Sequence, residues 1–286
     1  MGFHSGRFSL VHTRGHTSMN LTTRQHRERE YHCDHALLCR EKGASVDLNV
    51  ITSNQRRWWN GYWTMYTLLR RYPGAGKSAL VVGCGQGDDA RLLTRLGYRV
   101  TAFDLSPDMI GLARDLADRE GLTIDFQVTS AEQPSLHGHT FDLILARDIL
   151  HHVEVGKALA ALSHMANPGS MVMINENYTH SLIQKIRESR WVCEFFYPRL
   201  VSFIYKNEKP YITEDEVKLN EHDLAACRAM LAQSQTLFFN MFVTRIVPDS
   251  YPMLARLDRL LLMMFKPLGF WFAGRFILFG TMKKIS

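Results

Sequence analysis

The polarity pattern of this chain is sharpest between residues 79 and 104. An apolar run over 79–82 meets glycines at alternate positions, Gly83, Gly85 and Gly87; a helical stretch and a second apolar run then end at Asp104. That order reads as strand, glycine turn, helix, strand, acid. Further apolar runs predict strands over 141–146 and 171–175, and two last strands over 236–243 and 275–282. Helices are expected over 28–42, closed by Gly43, and from Ser53 or Asn54 to Arg71, ahead of Pro73. Three more are expected, over 181–205, over 252–273, and from an Asn220 cap through Ser234.

Two helical stretches are patterned in ways that bear on function. Trp59, Tyr62, Trp63 and Tyr66 recur at i, i+3, i+4 and i+7, one face that suits packing against a sheet. In 252–273, Leu257, Leu260, Leu261, Met264 and Phe265 fall at helical spacing, but Arg256, Asp258, Arg259, Lys266 and Pro267 interrupt them. No charge-free span of membrane length results. The segment reads as core, as a dimer face, or as a surface that meets lipid or an oily substrate.

The glycine spacing carries chemistry. Without a Cβ, Gly83, Gly85 and Gly87 can adopt positive φ and bring backbone N–H groups close to a ligand at the start of the next helix. Asp104 ends the second strand, where a carboxylate can accept from both hydroxyls of a ribose. A dinucleotide fingerprint would need its third glycine at position 88, which is Asp88, so NAD and FAD are disfavoured. Gly76-Lys77-Ser78 is no P-loop, because the required earlier glycine is Arg71 and a strand follows.

The stretches VVGCGQG, VTAFDLSPDMIGLAR, VTSAEQPSL, FDLILARDILHHV and NPGSMVMINE stand in that order along roughly residues 55–180. Together they resemble the successive motifs of class I S-adenosylmethionine-dependent methyltransferases of the small-molecule type. The resemblance implies an α/β fold, a doubly wound, seven-stranded, mostly parallel sheet, here with N-terminal helices and helical insertions near the C-terminal strands. It implies S-adenosylmethionine as cofactor and S-adenosylhomocysteine as product. The glycine turn would pass under the methionine part, Asp104 would hold the ribose, and Leu105 and Met109 would flank the adenine. Ser130-Ala131-Glu132 stands where the family commonly has Asp-Ala-Glu, so the Ser130 hydroxyl would accept from the adenine amino group. Val81 replaces an acid usual before the first glycine, and Asp88 and Asp89 either substitute for it or simply suit the helix dipole. Arg147, at the end of the fourth strand, is a further cofactor-side candidate.

Methyl transfer asks a protein to align a nucleophile, exclude water and remove a proton. His151 and His152 follow the fourth strand; His151 is the candidate base, with a structural role as its alternative, and His152 a candidate substrate contact. Glu176, ending the fifth strand, is a candidate proton acceptor or substrate ligand. Tyr31, Tyr62 and Trp63 are candidates for an N-terminal lid that walls the acceptor pocket. No metal ligand set is indicated.

The formal net charge of +6 lies wholly in the first 72 residues, which hold eleven Lys and Arg against five acids. The body is neutral, and it has no Asn/Asp-Pro-Pro-Tyr motif, no catalytic Pro-Cys and no extended basic face, so nucleic acid is not the expected partner. Residues 1–27 contain no acid and no apolar core for a secretory signal; a disordered basic tail is expected, with a transit peptide as the alternative. Five cysteines without paired spacing point to a reducing, cytoplasmic setting.

The expected domains are that tail, a helical cap over 28–72, and a cofactor-binding domain over 73–286 with insertions at about 178–218 and 246–273. The expected activity is methyl transfer to a small, lipophilic or aromatic acceptor on O, N or C, by a monomer or homodimer, with peripheral membrane contact open. Nucleic-acid methylation and a non-catalytic cofactor-binding module are the rivals.

Overall fold

A computed structural model describes residues 21–42, 61–136, 138–196, 217–241 and 252–283. The expectations for 1–20, for Trp59 and for the connector 206–216 lie outside them.

Seven strands form one sheet: β1 (Ser78–Val82), β2 (Arg99–Asp104), β3 (Asp125–Val128), β4 (Phe141–Arg147), β5 (Ala166–Asn177), β6 (Leu231–Phe239) and β7 (Arg275–Met282). Their order is β3-β2-β1-β4-β5-β7-β6. Strands β1 to β5 pair in parallel, whereas β7 runs antiparallel to both β5 and β6. This is the doubly wound sheet expected from the motifs.

Nine α-helices are described: α1 (Thr23–Lys42), α2 (Gly61–Leu69), α3 (Asp88–Arg95), α4 (Pro107–Arg119), α5 (Val155–His164), α6 (Ser181–Arg187), α7 (Glu221–Ala229), α8 (Pro252–Met264) and α9 (Gly269–Phe272). Along β1, Ala79 and Val81 enter the core on one face while Leu80 and Val82 enter the core on the other. A parallel strand covered on both faces is apolar throughout, which is why this run reads without alternation. From β1 the chain winds out to β2 and later returns to β4 on the other side. Between their carboxyl ends lies the crevice where such sheets take ligands.

The helix expected over 181–205 is α-helical over Ser181–Arg187 and gives a π turn over Val192–Phe196, its remainder lying outside the described residues. Three further boundaries differ from the sequence reading, each for a local reason. α1 begins at Thr23, five residues ahead of Glu28, because Thr22 and Gln25 form a reciprocal cap: the Gln25 N–H donates to Thr22 Oγ1 at 3.3 Å and the Thr22 N–H to Gln25 Oε1 at 3.0 Å. α7 stops at Ala229, where the chain enters β6 and pairs with β7 from Leu231 onward; a long-range ladder overrides the helical pattern through Ser234. In 252–273, Pro267 breaks the helix, giving α8, a single 3-10 turn over Lys266–Leu268, and α9.

Candidate functional site

The glycine turn takes the shape its sequence allows. Gly83, Gly85 and Gly87 all have positive φ, at 62°, 51° and 82°. A Cβ on Gly83 would lie 2.7 Å from the Ile149 side chain. The Asp104 carboxylate locks this turn to the start of α4, accepting the Gly85 N–H on Oδ2 and the Ser106 N–H on Oδ1, both at 2.9 Å.

Beside it lies a narrow cleft, closed down to about 40 Å³ of free volume. Its floor is Gly83, Phe103, Asp104, Leu105, Ser130 and Ala131. Ile149 and His152 close one side, and Gln25, Glu28 and His32 of α1 form the roof. Apolar walls and a few convergent polar groups suit a small organic cofactor, although α1 as placed leaves it no room. The donor set also fits an adenosine: a ribose-height carboxylate, flanking apolar side chains and a hydroxyl at the far end. Met109 is buried, with its Cε 3.4 Å from where a Gly85 Cβ would stand, so it props the turn from beneath rather than lining the cleft.

The roof is polar. Gln25 Nε2 donates to Ser130 Oγ at 3.1 Å and to Glu132 Oε2 at 2.9 Å, and an Arg24 guanidinium N–H donates to the His151 carbonyl at 3.2 Å. Glu28 Oε2 lies 3.1 Å from His152 Nδ1. Burial opposes ionisation of Glu28, yet His152 and the neighbouring His32 and Arg24 hold its carboxyl below the usual range. His32 is held below its ordinary value by burial, against the pull of Asp104.

A second polar cluster sits where β4, β5 and β7 meet. Asp148 adopts a left-handed backbone, φ 53°, which a non-glycine residue keeps only when its surroundings hold it. They do: Asp148 Oδ1 accepts from Arg275 NH2 at 2.8 Å, and Oδ2 accepts the Tyr62 hydroxyl at 2.8 Å. Arg275 also donates to Asn175 Oδ1 and Asn177 Oδ1, both at 2.9 Å, and its guanidinium lies 4.6 Å from the Tyr62 ring centre. Burial works against the Asp148 carboxylate, but Arg275 and Arg147 outweigh it and hold its pKa below the ordinary value. Burial also pushes the Tyr62 hydroxyl up to about 12.

His151 and Glu176 form a third unit. His151 Nδ1 lies 2.7 Å from Glu176 Oε2, while Glu176 Oε1 accepts the N–H of Ile149 at 2.7 Å and of Leu150 at 2.6 Å. Glu176 is fully buried. The expectation that it meets substrate is therefore corrected: both oxygens are occupied by the protein, and the carboxylate reaches the site only through His151. Asp148, His151 and Glu176 bring potential ligand atoms within 4.8 Å of one another, but Arg275 already pairs with the Asp148 carboxylate and the Glu176 oxygens are taken by backbone N–H groups and the His151 ring.

Other candidates fall in different places. Arg147 pairs through Nε with buried Asp89 Oδ2 at 2.6 Å and is not in the cleft lining; neither are Gly85, Gly87 and His151, so of the three glycines only Gly83 faces the cleft. The Asp88 side chain instead pairs with Arg91 at 2.5 Å. Tyr62 reaches the Asp148 cluster, whereas Trp63 packs on the core below it, edge-on to Tyr66. Tyr31 stands edge-on to His32, beside the roof but not in the cleft lining. His152 does line the cleft, its ring centre 4.1 Å from that of His151.

The sequence reading did not single out Gln25, Glu28, His32 or Arg275. Thr22-x-x-Gln25 was a legible cap signal. Arg275, which meets Asn175 and Asp148 from the far end of the chain, had none.

Residues 80–174 match the family model described as a methyltransferase domain. With the strand order and the glycine turn, this defines the class: the chain carries a class I S-adenosylmethionine-dependent methyltransferase domain. Among named relatives, it is 40% identical over 101 residues to a ubiquinone biosynthesis O-methyltransferase of Methylocella silvestris, covering 35% of this chain and 40% of the relative. It is 33% identical over 124 residues to one from Cereibacter sphaeroides, covering 42% and 50%. The chain thus spans half or less of the length of these two relatives.

Two solved structures are similar in fold. The cyclase SpnF gives a TM-score of 0.56 at 16% identity, over 92% of this chain and 97% of that one. Magnesium protoporphyrin IX methyltransferase from Synechocystis PCC 6803, with bound SAH, gives 0.54 at 13% identity, over 91% and 100%. At such identities the likeness is one of fold.

Proposed function

We propose that this protein transfers a methyl group from S-adenosylmethionine to a small, apolar or aromatic acceptor, with oxygen as the methylated atom. The observation that carries the reading is Asp104, ending β2 with its carboxylate fixed by Gly85 and Ser106 in the cleft that Leu105, Ser130 and Ala131 also line. Bound there, S-adenosylmethionine would supply a methyl group already activated on a sulfonium. In this reading Asp104 holds the ribose hydroxyls, Leu105 and Ala131 flank the adenine, and Ser130 accepts from its amino group. The positive-φ turn at Gly83, Gly85 and Gly87 passes under the methionine part.

His151 is the base in this reading. With Glu176 accepting from Nδ1–H, the neutral ring presents Nε2 as its basic atom, suited to take the proton of an acceptor hydroxyl. Glu176 is then a positioning residue. Tyr62, held by Asp148 beneath Arg275, is a rigid polar wall for the acceptor side. The names of the relatives support oxygen as the methylated atom. A lipophilic acceptor is supported by exposed apolar side chains such as Trp191, Phe195, Leu257 and Leu260. These also suit peripheral contact with a membrane; no helix among the described residues is long and apolar enough to cross one.

Calorimetric titration with S-adenosylhomocysteine, followed by a transfer assay with radiolabelled methyl donor against hydroxylated aromatic acceptors, tests the reading. Micromolar binding and label in an ether product are expected. Binding without transfer to any acceptor would leave a cofactor-binding module, and absence of binding would overturn the assignment.

A further inference from the structure

The roof of the cleft is chemically unusual: Gln25 presents a planar NH2 group to Ser130 Oγ and Glu132 Oε2, at 3.1 and 2.9 Å. An adenine bound in the proposed way would direct its own planar amino group at the same Ser130 hydroxyl. Both cannot occupy that place. We propose that α1 is a gate on the cofactor cleft, latched shut by the Gln25 amide standing where the adenine amino group must go; this rests on the cofactor reading above.

Gln25 is also built into the start of the helix. Its Oε1 accepts the Thr22 N–H and its own N–H donates to Thr22 Oγ1, the reciprocal cap that begins α1. Rotating the amide away from Ser130 therefore breaks part of the cap as well. Cofactor entry and loosening of the first turn are one event.

The rest of α1 is fastened in a way that permits opening. Of its described side chains only Glu28 and Ala36 are buried, and Leu37 and Leu38 face solvent. The C-terminal half packs on α4 through Ala36 and an exposed Arg40–Asp115 pair at 3.4 Å, while polar latches close the N-terminal half over the cleft: Gln25 on Ser130 and Glu132, Arg24 on the His151 carbonyl, and Glu28 beside His152. Segments with few buried apolar contacts are the ones that open at low free-energy cost. Two of the three latches reach the loop that carries His151 and His152, so an open gate leaves that loop less supported until ligand is bound.

Two substitutions separate the latch from the cap. Gln25→Ala removes both. Gln25→Glu keeps an acceptor for the Thr22 N–H but loses the NH2 that Ser130 Oγ and Glu132 accept; any bond its carboxylate could take from the Ser130 O–H is opposed by repulsion from Glu132. The measurement is stopped-flow association and equilibrium affinity of S-adenosylhomocysteine on the full chain, with circular dichroism to verify folding. In the unsubstituted protein the observed rate should level off as ligand increases, because opening becomes limiting. Both variants should raise that plateau and tighten binding by about fivefold, the value of one ordinary hydrogen bond.

Weaker binding in either variant would make Gln25 a cofactor contact and overturn the gate. So would identical kinetics in all three proteins, a rate in the unsubstituted protein that rises linearly without a plateau, or a gain in Gln25→Ala not shared by Gln25→Glu. No binding by any of the three would overturn the cofactor reading itself.

Discussion

Glu176 fixes His151 at 2.7 Å through one carboxylate oxygen while the other accepts the N–H groups of Ile149 and Leu150. One buried side chain thereby sets both the loop after β4 and the tautomer of the imidazole it carries. Replacing Glu176 by Gln keeps an acceptor for the two backbone donors but turns an amide NH2 toward Nδ1. The ring then carries its hydrogen on Nε2 and loses its basic atom on the reacting side. Turnover should fall about 100-fold, the scale of a lost general base, with S-adenosylhomocysteine affinity unchanged. Equal turnover would return His151 to a structural role.

Asp104→Ala removes the ribose acceptor and leaves two backbone N–H groups without their carboxylate. Cofactor affinity is expected to weaken by roughly 2 to 3 kcal/mol. The melting temperature should fall in the ligand-free protein too, because Gly85 and Ser106 lose their partner in either state. Calorimetry and thermal melts read the two effects separately.

Gly83→Ala combines a left-handed backbone with a collision. The added Cβ would stand 2.7 Å from Ile149 at φ 62°, whereas at Gly76, φ 77°, nothing lies within 4 Å. Gly76→Ala should cost about 1 kcal/mol in urea unfolding, and Gly83→Ala clearly more, with cofactor binding lost.

Arg275→Met leaves Asp148, Asn175 and Asn177 without their shared donor. Stability should drop by about 3 kcal/mol, the cost of breaking a buried pair, and Asp148→Asn in the same chain should restore part of it. Denaturation of the single and double variants checks this.

Burial holds His32 below its ordinary value of 6.5, against the pull of Asp104 and Glu28 and with the help of His152 and His35. A histidine depressed in the folded state gives its full stabilisation above 6.5 and loses it as the pH falls below 6.5 and through the folded value. Docking of α1 should weaken in that window. Hydrogen-exchange protection of residues 23–42 should therefore drop between about pH 7.5 and about pH 5.5, and His32→Gln should flatten the change.

Much of the cofactor half was legible because its signals are local. Apolar runs buried on both faces, glycines at alternate positions and an acid closing β2 lie within 26 residues, and backbone sterics tie each to its conformation. The strand over 275–282 was read to the residue, but its partner was misread at its start, since the 231–239 segment becomes a strand only by pairing with β7. Of the aromatic face predicted for the second helix, Tyr62 pairs with Asp148, whereas Trp63 packs edge-on to Tyr66.

The sequence alone determined the order of elements, the glycine turn and the identity of Asp104 as its closing acid, since these follow from side-chain size, backbone freedom and periodicity over short spans. Only the tertiary structure decided which polar groups meet. Arg275 reaches Asp148 across 127 residues, and Gln25 reaches Ser130 across 105. Glu176 turned from a proton acceptor into a support because the loop after β4 fills its oxygens, with two backbone N–H groups on Oε1 and the His151 ring on Oε2. A buried charge takes whichever partner the fold brings within 3 Å, and linear spacing does not contain that choice.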